Sequence, residues 1–303
     1  MSVTKSCILF NLLRLPASQL EETIHFYSNI CGMVYKVKQR GDTEQHLFTF
    51  PRSGTDNHAT GICFEIDEDI ISQAKNMGYW KVGFSVYDVD SVVDFFQRKG
   101  IKIGCGFQFQ QIGYMQHTRD PNGYSIELLQ HAFESNFVRI QSKRVGIMGQ
   151  PVDKPPTLGQ ITLRCKNADK SCDFYANMLG MKLLSVQPVE VAKPFTLYFF
   201  AYTTDTPPNS KDLSSVDNRE WLWKKPYTQI ELVHADRNEV VYTTNDTHVA
   251  GKLFYKGFAV MVEEAIYQKI RSSLTITEET ETSFVVYDPD GYRVEVHRNV
   301  LHC

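Results

Sequence analysis

Asp120-Pro121-Asn122-Gly123-Tyr124-Ser125-Ile126-Glu127 returns near the end of the chain as Asp288-Pro289-Asp290-Gly291-Tyr292-Arg293-Val294-Glu295. Each string is a turn with a mechanism: proline fixes one dihedral, glycine supplies a positive φ, and an alternating strand follows. Two such turns point to a duplicated unit.

Working outward, a second pair of strings repeats as well. Glu21-Glu22-Thr23-Ile24-His25-Phe26-Tyr27-Ser28-Asn29-Ile30-Cys31-Gly32-Met33 matches Lys170-Ser171-Cys172-Asp173-Phe174-Tyr175-Ala176-Asn177-Met178-Leu179-Gly180-Met181. Both have apolar residues at helical spacing and end on a glycine, the residue that tolerates the left-handed closing turn. Each half divides again, because Tyr79 to Val86 and Tyr255 to Val260 read as new strands, followed by helical stretches at about 89–99 and 263–274. The result is four strand-helix-strands modules. The class is α+β, two tandem domains, each of two βαβββ modules with curled sheets. The expected boundaries are 1–141 and 157–303, joined by a Gly- and Pro-rich linker at 142–156. Thr203 to Asn218 reads as an irregular insertion in the third module.

Composition narrows the function. The 303 residues, 42% hydrophobic, suffice for two ordinary cores. A net charge of -3, from 32 Lys+Arg against 35 Asp+Glu, gives no field for nucleic acid or anionic lipid. No apolar run approaches the roughly 20 residues that span a bilayer. The seven cysteines lack metal-type spacing. A cytoplasmic protein, monomeric or weakly dimeric, with a small-molecule ligand is the expectation.

A strand, an FY helix ending in LGM, further strands and a closing DPDGY-x-x-E resemble the vicinal oxygen chelate superfamily, from about residue 7 to 299. The third module is more specific. Its Gln160-Ile161-Thr162-Leu163-Arg164, Phe195 to Phe199, Trp221 and Tyr227 to His234 resemble eukaryotic glyoxalase I in the fused two-domain form. The resemblance implies paired modules forming cups, a divalent metal (zinc or nickel) at the base, and a glutathione-methylglyoxal hemithioacetal as substrate. The second and third modules would form one cup, the first and fourth the other.

Strand alternation tests the cup independently, because residues two apart share a face. Gln160, Thr162 and Arg164 oppose Ile161 and Leu163; Glu231 opposes Ile230 and Leu232; Lys81 opposes Val82; Glu127 opposes Ile126 and Leu128. Carried over by resemblance, Gln160, Glu231 and Glu127 would be metal ligands, with Glu127 and Glu231 catalytic. Arg14, Arg164 and Lys252 are the candidate substrate-binding residues. The second cup would hold Phe10, Glu65, Lys256 and Glu295.

The chain departs from the family at both histidine positions, which are Lys81 and Lys256, and Phe10 replaces a glutamine. For a lysine to ligate at pH 7, lowering a pKa of about 10.4 costs roughly 4.6 kcal/mol before any bond forms. Its ammonium could instead sit between carboxylates in place of the metal. Structural roles compete with these: Glu295, between Arg293 and His297, reads as solvent-facing, Arg14 and Arg164 as surface ion pairs, and the FY residues as core. His25, His46, His58, His248 and His302 read as surface or loop residues, and His234 as structural. Ala235 and Asp69 stand where the family has an asparagine. Three functions compete: a metal-dependent isomerase, a non-catalytic binding relative, and a ring-cleaving dioxygenase, which ranks last for want of two suitably placed histidines.

Overall fold

A computed structural model describes residues 6–41, 43–51, 60–71, 78–133, 144–235 and 252–299, with the side chains of 71, 252 and 253 outside that set. The four modules are all present. The first contains β1 (Cys7–Leu15), α1 (Leu20–Ile24), β2 (Val34–Arg40), β3 (Thr43–Thr49), β4 (Gly61–Ile66) and β5 (Ile70–Ile71). The second contains β6 (Tyr79–Val86), α2 (Val89–Arg98), β7 (Phe107–Phe109), β8 (Gly113–Arg119) and β9 (Ser125–Gln130). The third contains β10 (Thr157–Cys165), α3 (Ala168–Asp173), β11 (Lys182–Val189), β12 (Phe195–Ala201), α4 (Val216–Trp223) and β13 (Gln229–His234). The fourth contains β14 (Lys252–Leu253), β15 (Tyr255–Val262), α5 (Glu264–Ser273), β16 (Glu278–Glu279), β17 (Ser283–Tyr287) and β18 (Arg293–Arg298).

Two eight-stranded sheets curl into the cups. One runs β16-β17-β18-β15-β1-β4-β3-β2 and the other β11-β12-β13-β10-β6-β9-β8-β7. The first and fourth modules therefore share one sheet, the second and third the other, and neither sheet is built by one half alone. The seams are antiparallel: β1 on β15 and β10 on β6.

The repeated motifs explain why each half still holds together. Tyr27 of the first FY pair donates its hydroxyl to Asp120 of the DPNG turn at 3.0 Å, and Tyr175 does the same to Asp288 of DPDG at 3.0 Å. These tyrosines are core, as read from the sequence, but each also braces one module's helix to the next module's turn. The turn aspartates further accept the backbone N–H of Tyr124 and Tyr292, each at 2.8 Å. Gly123 and Gly291 take φ of 85° and 87°, which is why the fourth turn residue is glycine in both. Both FY helices widen in their last turn, with Cys31 N–H reaching Phe26 and Leu179 N–H reaching Phe174, each at 2.9 Å. Gly32 and Gly180 then close them at φ of 68° and 73°.

α2 follows from its sequence: Asp88 caps it by accepting from Ser91 N–H at 3.2 Å, and Val89, Val92, Val93 and Phe96 bury one face. Of the expected linker, 142 and 143 lie outside the described residues. Its remainder is fastened, since the buried Gln150 side chain exchanges two 2.9 Å hydrogen bonds with the Asp88 backbone. The reading of Thr203 to Asn218 as irregular is corrected at its end, where α4 begins at Val216. α4 is pinned by contacts distant in sequence, Arg219 to the Gln111 carbonyl at 2.6 Å and Trp223 to the Ile112 carbonyl at 3.2 Å.

Candidate functional site

β6 and β10 meet at the seam of the second and third modules, and their register builds a polar floor. Gln160 pairs with Gly83 and Thr162 with Lys81, while the parallel neighbours put Glu127 beside Gly83 and Glu231 beside Thr162. Gln160, Lys81, Glu127 and Glu231 are all buried. Sequence alternation had placed the four on one face, and the fold brings them together.

Gly83 is what lets them touch. A Cβ there would lie 2.4 Å from Gln160 Cγ, so only a glycine allows the amide to fold across the seam. Gln160 Nε2 then donates to Glu127 Oε2 and Glu231 Oε2, each at 2.8 Å. Gly83→Ala is expected to displace this amide and cost about 1–3 kcal/mol through overpacking and lost hydrogen bonds. A thermal midpoint unchanged from wild type would show that the close approach is not real.

The charges are arranged asymmetrically. Lys81 Nζ lies 2.6 Å from Glu127 Oε1 and 4.4 Å from the Trp80 ring centroid. His117 Nε2 lies 3.0 Å from the same Glu127 oxygen. Burial pushes the Glu127 carboxyl up, but the Lys81 ammonium and the His117 ring outweigh it and bring it down to about 2. Glu231 accepts a short hydrogen bond from Thr162 Oγ1, yet burial, opposed by Lys81 and reinforced by Glu127, pushes it up to about 7.

The raised carboxyl has a consequence for stability. Between about pH 4.5 and 7 the folded Glu231 holds a proton that an unfolded glutamate has released. Its contribution is therefore full below this window and is lost as pH rises through 7, on the order of 2–3 kcal/mol. Glu231→Gln should flatten that part of a urea-midpoint profile; an unaltered slope would refute the assignment.

Above the floor is a cavity of about 310 Å³ walled mainly by apolar side chains, among them Trp80, Phe109, Met115, Leu129, Phe195 and Trp223. Lys81, His117, Glu127, Gln160 and Glu231 supply its polar base. His117 was missed in reading the sequence, although the DPNG hairpin could have found it: counting outward from Asn122 sets His117 opposite Glu127. Trp223 was missed because α4 was.

The second cup is occupied by its own ions. Lys256 pairs with Glu65, which also accepts from Gln45 Nε2 at 2.8 Å. Glu295 is bound by Arg40 and His297, and by Arg293 at 3.2 Å. Glu295 is thus buried, which corrects the solvent-facing reading, and its carboxyl lies far below the ordinary range because His297 and Arg40 overcome the effect of burial. Phe10 joins Leu12, Leu47, Cys63 and Ala259 in a small apolar cluster. His46, read as surface or loop, is buried on β3 and bonds to the Tyr35 hydroxyl at 2.8 Å.

Of the candidate substrate-binding residues, Arg14 lies 3.5 Å from Asp67 and Arg164 stacks over Trp80 at 4.9 Å. The Lys252 backbone pairs with Ile70, and its side chain lies outside the described residues. Neither arginine lines the cavity.

A divalent metal does not fit this floor as built. Gln160 offers its amide nitrogen to both carboxylates, while its oxygen, the atom a metal needs, is buried without a hydrogen-bond partner. An ammonium already balances Glu127. Among the described residues no three His, Cys, Asp or Glu side chains form a metal-binding group.

A model of the Glyoxalase/Bleomycin resistance protein/Dioxygenase superfamily matches residues 9–128 and 157–217. Glyoxalase I of Saccharomyces cerevisiae is 25% identical over 225 residues, which cover 64% of this chain and only 63% of that one. Lactoylglutathione lyase of Schizosaccharomyces pombe is 23% identical over 301 residues, covering 91% of this chain and 92% of the other. Glyoxalase I from Zea mays superposes with a TM-score of 0.66 at 19% identity, over 97% of this chain and 92% of that structure, a likeness of fold. Motifs, paired cups and family match agree, and the chain belongs to the Glyoxalase/Bleomycin resistance protein/Dioxygenase superfamily, in its fused two-domain, glyoxalase I-like form.

Proposed function

We propose that this protein is a metal-independent, small-molecule-binding member of the superfamily with little or no lactoylglutathione lyase activity. The observation that carries the reading is the Lys81 ammonium, 2.6 Å from Glu127 inside the closed floor of the one cup that retains Gln160, Glu127 and Glu231. Zinc there would face an extra positive charge in a low-dielectric site, whereas the usual ligands are imidazole, thiolate and carboxylate. The ligand's apolar body packs against Trp80, Phe195 and Trp223, and its polar end meets Lys81 and Glu127. About 310 Å³ is at the small end of ligand cavities.

Any residual isomerisation of a glutathione hemithioacetal runs through this cup. Glu127 takes the proton and the Lys81 ammonium faces the developing oxyanion. The second cup, with Phe10 and its occupied Glu295, contributes nothing. We assign the two domains to 1–141 and 157–303 and the protein to the cytoplasm, which the buried thiols of Cys31, Cys63 and Cys165 suit. No helix among the described residues is long and apolar enough to cross a membrane.

The test is metal analysis of the purified protein combined with hemithioacetal isomerisation, with and without added zinc or nickel. Substoichiometric metal and a rate unchanged by metal are expected. Stoichiometric metal with robust turnover that Glu127→Gln abolishes would overturn the proposal.

A further inference from the structure

The inner face of the cup continues past its floor. On the hairpin of β8 and β9, Met115 pairs with Leu129, His117 with Glu127 and Arg119 with Ser125. Pairs two residues apart share a face, so Arg119 stands on the same face as the floor, about 7 Å beyond the charged row. A groove of about 740 Å³ opens there, lined among others by Glu22 and Phe26 of the first module and by Lys102, Arg119 and Ser125 of the second. Trp80 and His117 line both this groove and the cavity, so the two spaces adjoin across that pair.

Burial sorts the charges of the groove. Asp120 borders it, but its carboxylate is engaged within the protein, accepting from the Tyr27 hydroxyl at 3.0 Å and the Tyr124 N–H at 2.8 Å. Besides His117, the remaining ionisable groups among the described lining residues are Lys102, Arg119 and Glu22, all exposed, so two cations stand against one carboxylate. Arg119 is also steadied: its Nη1 donates to the Gly123 carbonyl at 2.7 Å, and the guanidinium has further N–H donors for an anion.

We infer that the cup's ligand is an elongated anion, whose aryl or alkyl body fills the cavity and whose carboxylate tail crosses between Trp80 and His117 to Lys102 and Arg119. This rests on the reading of the cup as a small-molecule site and names the class of molecule it takes. The cavity alone, at about 310 Å³, is small for a ligand, and the groove supplies the remaining length. Lys81 does not draw the tail, because Glu127, 2.6 Å away, already balances it. Neither Lys102 nor Arg119 is among the residues that the resemblance to glyoxalase I assigns to substrate.

Two acid and amide pairs test this on the full-length protein, with tryptophan fluorescence as the readout because Trp80 and Trp223 line the cavity. The long pair is 6-(phenylacetylamino)hexanoate and its terminal amide; the short pair is phenylacetate and phenylacetamide. The long acid should bind about tenfold more tightly than its amide, as two exposed ion pairs allow. That ratio should fall below about twofold in Lys102→Gln combined with Arg119→Gln, and by about threefold in Lys102→Gln alone, an exposed substitution that keeps the test readable should the double variant unfold. A long-pair ratio near one in the wild type, or one that survives the double variant, would overturn the tail site and leave the cup standing. An equal ratio for the short pair would do the same, by placing the anion at Lys81. Binding of none of the four compounds would overturn both readings.

Discussion

Lys81→Met should lower stability by about 3–5 kcal/mol at pH 7, because it leaves the buried Glu127 charge without its cation. An exposed ion pair would cost under about 1 kcal/mol, so magnitude alone separates a floor built around this pair from an incidental contact. The pH dependence gives a second signature. In the wild type Glu127 lies at about 2, below its ordinary 4.5, so its contribution is present above 4.5 and is lost as pH falls through 2. Without Lys81 the sign reverses: burial dominates, Glu127 holds a proton, and stability is lost as pH rises instead. The gap between the two proteins should therefore be widest at neutral pH and narrow in acid. Adding Glu127→Gln should recover most of the loss, since a neutral amide can accept from and donate to its neighbours. Urea midpoints at neutral and acidic pH measure all of this; a double variant as unstable as Lys81→Met would show that the charge is not the cause.

Some of this floor was legible in the sequence, and the reason is geometric. Alternation tells which face a strand residue takes, so Gln160, Glu231, Lys81 and Glu127 could be assigned to one side without coordinates. The two DP turns and the FY helices marked the modules because their glycines and prolines are demanded by backbone geometry. Long-range partners carry no such local mark. Nothing in the edge strand β2 announces that Arg40 reaches Glu295 on β18, since the two lie in different modules and meet only when the first and fourth share a sheet. For that reason Glu295 read as exposed. α4 has no amphipathic pattern and is held by Arg219 and Trp223 reaching into the second module, so an irregular insertion was the natural reading of the stretch before it.

Lys81→His should convert the cup into a zinc site, whereas Lys256→His should not. The exchange removes the ammonium from the floor and supplies an imidazole that is largely neutral at pH 7, beside Glu127, Glu231 and a Gln160 amide that gives up its two carboxylate hydrogen bonds to turn its unpaired oxygen inward. Zinc takes four such donors in tetrahedral geometry. The deprotonation penalty of roughly 4.6 kcal/mol for a lysine at pH 7 disappears, so zinc affinity should rise on the order of a thousandfold. Zinc at about 100 times the dissociation constant then stabilises the variant by about 2.7 kcal/mol, visible as a raised thermal midpoint. In the other cup the same exchange meets Phe10, which offers no oxygen, and a Glu295 held by Arg40, Arg293 and His297. Zinc titration calorimetry on both variants, and on Lys81→His combined with Glu127→Gln, decides the matter. Binding should appear in the first, be absent from the second, and fall sharply in the third. Equal binding by the two lysine variants would mean that the cups differ less than Phe10 and Arg40 imply, and none in Lys81→His would mean that more than one imidazole separates this floor from a metal centre.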